Sequence, residues 1–228
     1  MNTTELDEIA KEADEWHSKL EGLYKTDDNV NKLYRGIDIW FSPIIERPEI
    51  MFLGINQGVG YYKNNNNTLV HRIQPREKPE YVDDEVFYIL KRDWEYVFRD
   101  KENCLNRRDL LEKSVKSNFC YFATENTKSM EKLFTQMSCK FGISPYKLCG
   151  DWTYRMIKSI NPKILICEGK KAFDLLCRWS FPDEFIKYEI TQSVKRGHID
   201  SIKVIQVTRF FSTLRDAGEI VKQIQKSL

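Results

Sequence analysis

The stretch Ile50-Met51-Phe52-Leu53-Gly54-Ile55-Asn56-Gln57-Gly58-Val59-Gly60 decides the reading of the fold. Four large apolar residues in a row, closed by glycine, leave no polar face. Such a run predicts a short strand covered on both sides. Three later runs read the same way: Asn118–Phe122, Ile164–Cys167 and Val204–Val207. Between and after them, apolar residues recur at three- and four-residue steps. One set is Met130, Leu133, Phe134 and Met137, and another is Trp152, Met156, Ile157 and Ile160. A third follows Gly169 with Ala172, Phe173, Leu175 and Leu176, and the last holds Leu214, Ala217, Ile220, Val221 and Ile224. Buried strands alternating with amphipathic helices predict an α/β fold, a three-layer αβα sandwich around a mostly parallel four-stranded sheet.

Upstream of the first strand, Leu6, Ile9, Ala10, Ala13, Trp16 and Leu20 predict an N-terminal helix over about 4–24. Thr3 or Thr4 can cap it, and Glu5, Asp7 and Glu8 suit its first turn. Pro43 and Pro48 then prevent a long helix in the aromatic connection 31–49. Downstream, Asn64–Asn67 reads as a loop tip, within a charged, aromatic insertion over about 63–108 that carries a helix near Asp83–Phe98. Without a linker-like segment, residues 1–228 read as a single domain.

The 36 basic and 34 acidic residues leave a net charge of +2, which excludes a generally cationic, nucleic-acid-coating protein. An aromatic content of 13% argues against disorder. The longest uncharged stretch, Ile50–Tyr62, is too short to span a bilayer, which takes roughly 20 residues. The acidic start, MNTTELDEIAKEADEW, carries no apolar signal core. Six cysteines without a C-x-x-C, and three scattered histidines, point to reduced thiols in a cytoplasmic protein with no metal and no cofactor.

Ligands of open parallel sheets bind at the carboxyl ends of the strands. The first such end, Gly54 to Gly60, lets backbone amides approach a small planar or anionic ligand, and Asn56 both donates and accepts. Its spacing is neither a dinucleotide nor a phosphate-loop fingerprint. The other expected ends, Ala123–Asn126, Glu168–Lys170 and Thr208–Thr213, offer no Cys–His pair and no serine elbow.

Taken in order, IMFLGINQG, VKSNFCYFATEN, INPKILICEGKKAFDLL and KVIQVTRFFSTLRDA resemble the four motif segments of the uracil-DNA glycosylase superfamily, especially its mismatch-specific and single-strand-selective branches. The likeness runs from about Ile50 to Ser212, with the charged insertion unmatched. It implies DNA as partner and hydrolytic removal of uracil or another modified base. Asn56 would position the water, Asn118 would read the edge of a flipped base, and Tyr61 or Tyr62 would stack beneath it. Gly54, Ile55, Gln57 and Gly58 would line the base. Arg209 and Ser212 would stabilise the departing base, while Lys170, Thr213 and Arg215 would hold phosphate. Two departures stand out. Gln57 replaces the motif's proline, and Thr208-Arg209-Phe210-Phe211-Ser212 stands where His-Pro-Ser or Asn-Pro-Ser is expected. Two other expectations therefore stand beside the enzyme: an inactive reader of nucleic acid or nucleotide on the same fold, and a nucleotide hydrolase or transferase unrelated to DNA.

Overall fold

The computed structural model describes residues 3–56, 68–183, 186–189, 194–210 and 213–228. Helix α1 (Thr3–Thr26) buries Leu6, Ile9, Ala13 and Leu20, as their spacing requires. Asp27 caps the short α2 (Asp28–Leu33), its carboxylate accepting from the amides of Asn29 and Val30. There follow β1 (Gly36–Asp38), β2 (Ile50–Gly54), β3 (Val70–Arg72), α3 (Ile89–Phe98), α4 (Arg108–Glu112), β4 (Val115–Asn118) and β5 (Phe122–Ala123). Helices α5 (Thr127–Phe141) and α6 (Pro145–Ile160) precede β6 (Ile164–Glu168). Helix α7 (Lys170–Leu175) continues into a π turn, Leu176–Ser180. The chain closes with β7 (Ile186–Glu189), β8 (Val194–Ile199), β9 (Ile202–Val207), β10 (Arg209–Phe210), β11 (Thr213–Leu214) and α8 (Ala217–Gln225).

The main sheet has the order β4-β2-β6-β9-β8-β7. Its first four strands are parallel, in the chain order second, first, third, fourth, and β8 and β7 extend it antiparallel. The expected four-stranded sheet is thus the parallel part of a six-stranded mixed one. Strand β8, VKRGHI, escapes a search for apolar runs because Lys195, Arg196 and His198 interrupt its buried positions.

A second correction concerns the register of β4. Its strand is Val115–Asn118, not Asn118–Phe122. Polar residues fill three of its four buried positions, and each needs a specific partner that only the fold supplies. The Ser117 hydroxyl, for instance, donates to the Ile39 carbonyl (2.8 Å). Pairing with the β2 side continues through Phe119 N–H to Gly54 O (3.0 Å) and Cys120 N–H to Ile55 O (2.8 Å). Phe122 then leaves for a small sheet with β1 and β3.

Each parallel strand buries both faces. Met51, Leu53, Val115, Leu165, Cys167 and Val204 join the core shared with residues of α1, α5, α6 and α7. Ile50, Phe52, Ile164, Ile166, Ile205 and Val207 pack with residues of α3, α4 and α8. The charged insertion therefore supplies much of one outer layer. The Phe52 ring meets Tyr81 and Trp94 with centroids 4.9 Å away in each case, and Phe98 at 6.3 Å. Burying such a ring contributes roughly 1.5–3 kcal/mol.

Candidate functional site

In a sheet ordered second-first-third-fourth, the crossover connections diverge between the first and third strands, and ligands collect outside the carboxyl ends there. In this chain those strands are β2 and β6. Register places Gly54 opposite Asn118, and Glu168 opposite Val207. Lys116 and Phe52 lie one same-face step deeper, at their own paired positions.

Asn118, expected at the start of a strand, stands instead at the carboxyl end of β4. It is 4% exposed, and no described residue hydrogen-bonds its side-chain amide. A Cβ on Gly54 would lie 2.1 Å from Asn118 Oδ1 and 3.5 Å from Glu168 Oε2. Only glycine admits the amide at that distance. Two polar side chains from neighbouring strands therefore converge on the space above Gly54.

Glu168 is the hub that the strand-end pattern underrated. It is 2% exposed, and its Oε1 accepts from the Tyr81 hydroxyl and from Trp94 Nε1 (2.8 Å). Lys116 Nζ lies 3.8 Å from Oε2 and 2.9 Å from Glu80 Oε2, and donates to the Tyr88 hydroxyl at 3.1 Å. The ammonium also faces the Tyr81 ring, 4.2 Å from its centroid. Burial, with Glu168 beside it, holds the Tyr81 phenol well above the usual tyrosine range. Tyr88 moves the same way through burial and then Glu80 and Glu168. Both phenols are therefore neutral donors at any physiological pH. Lys116 gives little sign of this role in sequence, because Val-Lys-Ser-Asn lacks an apolar run. Tyr81 and Trp94 are hidden in the charged insertion.

Asn56 is half-buried and turns its Nδ2 toward Thr124 Oγ1 (2.8 Å), while Thr124 donates to Asn126 O (3.0 Å). The Ile55 carbonyl is spent on Cys120. Arg209 reaches Glu168 from the far side through its backbone, Nη1 donating to the Glu168 carbonyl at 3.3 Å. Its Nε is buried and has no hydrogen bond among the described residues. Gly169 has φ +113° and lets the chain turn from β6 into α7 beneath this guanidinium, with Arg209 Cδ 3.9 Å from where a Cβ would sit.

The phosphate candidates lie outward. Lys170 is exposed and pairs with Asp174 on its own helix. Thr213 and Arg215 are exposed, and the Arg215 guanidinium carbon lies 4.7 Å from the Phe210 ring centroid. The structure thus gathers Gly54, Asn118 and Arg209 about Glu168, sets Asn56 beside them on Thr124, and leaves Lys170, Thr213 and Arg215 on the rim. Gln57, Gly58, Tyr61, Tyr62 and Ser212 lie outside the described residues.

A cleft of about 570 Å³ opens at the opposite, amino ends of the strands, lined by Glu5, Arg47, Arg155 and Lys158 among others. Two of its cations are answered by carboxylates: Arg155 pairs with Glu5, Glu12 and Asp151, and Lys158 with Asp200. The carboxyl-end cluster, whose polar groups are not all answered, is the better candidate. Among the described residues no three His, Cys, Asp or Glu are grouped to hold a metal ion, and no helix is long and apolar enough to cross a membrane. No protein-family model matches the chain, and a search of curated proteins finds no match either.

Proposed function

We propose that this chain is a DNA glycosylase-like protein of the uracil-DNA glycosylase kind, taking a base flipped out of DNA into the space above Gly54. The observation that carries the reading is the Asn118 amide, which closes β4 on a residue 4% exposed and lies against a glycine beside the crossover point of the sheet. An amide both donates and accepts, and a heterocycle edge answers it with adjacent acceptors and donors. Breaking the bond between sugar and base leaves negative charge on the base, and the Arg209 guanidinium, fixed on the Glu168 carbonyl, is a permanent cation for it. Asn56, held by Thr124, would orient the attacking water.

A binding-only reading also draws on this geometry. The water-positioning residue is an amide occupied with Thr124, and the nearby Glu168 carboxylate is spent on Tyr81 and Trp94 through Oε1. One experiment decides. Oligonucleotides carrying uracil, hypoxanthine, xanthine or oxidised pyrimidines are incubated with wild type, Asn56→Ala and Asn118→Ala, then treated with alkali to reveal abasic sites, with binding followed in parallel. Cleavage by wild type that both variants lose supports the enzyme. Binding lost in Asn118→Ala, without cleavage, supports the reader. Undiminished cleavage and binding by Asn118→Ala refute the assigned site, and competition by free nucleotides alone points to a nucleotide enzyme.

A further inference from the structure

Resting on the DNA reading above, we infer that an unpaired DNA strand leading to the bound base lies across the outer face of α3 and the β10–β11 hairpin beside it. Among the described residues, the large apolar side chains left exposed are Phe87, Ile89, Tyr96, Phe210 and Leu228. All but the last belong to α3, to the residues just before it, or to that hairpin. Such a concentration marks a contact surface, whereas single exposed apolar side chains scattered over a protein do not. Helical spacing builds the first part of it. Leu90, Trp94, Val97 and Phe98 turn toward the sheet, which leaves Ile89, Arg92 and Tyr96, three and four positions apart, on the opposite side. Strand alternation builds the second. Arg209 pairs with Leu214 and Phe210 with Thr213. Leu214 packs into the core and Arg209 reaches the Glu168 carbonyl, so Phe210, 56% exposed, points outward. The Leu214 N–H donates to Asp93 Oδ2 (2.8 Å) and ties the hairpin to α3.

The charges say what covers this surface. The Arg99 guanidinium carbon lies 3.7 Å from the Tyr96 ring centroid, and that of Arg215 lies 4.7 Å from Phe210. Arg92, Arg99 and Arg215 form no ion pair among the described residues, because acids close to them in the chain are engaged elsewhere: Glu95 by Lys91, Asp93 by the Leu214 N–H and Asp216 by the first turn of α8. Rings interleaved with unanswered guanidinium groups fit a nucleic-acid strand, whose bases stack on the rings while its phosphates meet the cations. The strand is unpaired, since in a duplex both faces of each base are already stacked. Asp83, Asp84 and Glu85 lead up to Phe87, so that end of the patch repels phosphate and the strand keeps to the Tyr96 and Phe210 side. Arg209, next to Phe210, carries the path on to the candidate site.

The test uses the full chain and a fluorescein-labelled single DNA strand of ordinary bases, with affinity read by anisotropy. Without a modified base in the strand, the measurement reads this surface and not the base site. Wild type should bind the strand more tightly than a duplex of the same sequence. Tyr96→Ala should weaken strand binding about fivefold or more. Arg92→Gln/Arg99→Gln should weaken it too, and should flatten the slope of log Kd against log salt by roughly 1.4, two phosphate contacts at about 0.7 each. Phe87→Ser, at the acidic end, should bind as wild type does. These side chains lie at the surface, so the variants should keep the wild-type Tm, which a thermal melt checks. No strand binding by wild type, tighter binding of the duplex, or unchanged binding in both Tyr96→Ala and the double arginine variant overturns the inference. A loss in Phe87→Ser as large as in Tyr96→Ala, or self-association in sedimentation that Phe87→Ser abolishes, also overturns it and makes the patch a protein contact. Strand binding that the surface variants lose, with no base released from any modified oligonucleotide, sinks the glycosylase chemistry and spares the strand surface.

Discussion

Replacing Lys116 by methionine should destabilise the protein severely while keeping most of the side chain's bulk. Lys116 is 5% exposed, and its ammonium sits between two carboxylates that are each 2% exposed, with Glu80 Oε2 at 2.9 Å and Glu168 Oε2 at 3.8 Å. Removing one partner of a buried ion pair leaves the other charge uncompensated and costs roughly 3–5 kcal/mol. In a chain of this size each kcal/mol lowers Tm by about 2–4 °C, so the fall should be roughly 6–20 °C. Differential scanning calorimetry at neutral pH measures it. The loss should shrink in the double variant Lys116→Met/Glu80→Gln, because the nearer carboxylate is then neutral. A fall of less than 2 °C, on the order of 1 kcal/mol or below, would refute the reasoning. It would mean that water reaches the cluster and already screens it.

Two further outcomes follow from the same structure. Gly54→Ala places a methyl 2.1 Å from Asn118 Oδ1, so the amide must move; expected are a loss of about 1–3 kcal/mol in urea denaturation and a loss of oligonucleotide binding at least as large as in Asn118→Ala. Unchanged binding would separate the amide from the site. The His17 ring stacks on His71 with centroids 4.7 Å apart, and its Nδ1 meets the Tyr34 hydroxyl at 2.5 Å. Burial first, then His71, lower its pKa from the ordinary 6.5, against the opposing pull of Glu21 and Asp14. The native state thus binds fewer protons than the unfolded chain. This contribution is whole above pH 6.5 and is lost as the pH falls from there through the lowered native value. Tm should therefore drop between pH 7 and 5 more in wild type than in His17→Phe, and parallel profiles would contradict the burial argument.

Much of the fold was legible in the sequence, because one signal sufficed. Ile50–Leu53 and Ile164–Cys167 are apolar on both faces, and Val204–Val207 is so but for Gln206; only the middle of a covered sheet makes that favourable. Helical spacing likewise revealed α1, α5, α6 and α8. Arg209 could be picked because it follows an expected strand end, whereas Asn118 was expected to open a strand and its place at a carboxyl end came only with the fold.

What the sequence left open turns on groups that are buried and polar. Val115-Lys116-Ser117-Asn118 offers no apolar run, and it is a strand only because Ser42, Ile39, Glu80 and Tyr88 supply its polar partners. Those partners lie 28 to 78 positions away in the chain; no local pattern announces them. The same holds for Glu168, which looks like an ordinary strand-end charge until Tyr81 and Trp94, from the insertion, close over it. Apolar burial is written into a chain because each residue carries its own preference for leaving water. Polar burial is a property of pairs, and only the tertiary structure brings the pairs together.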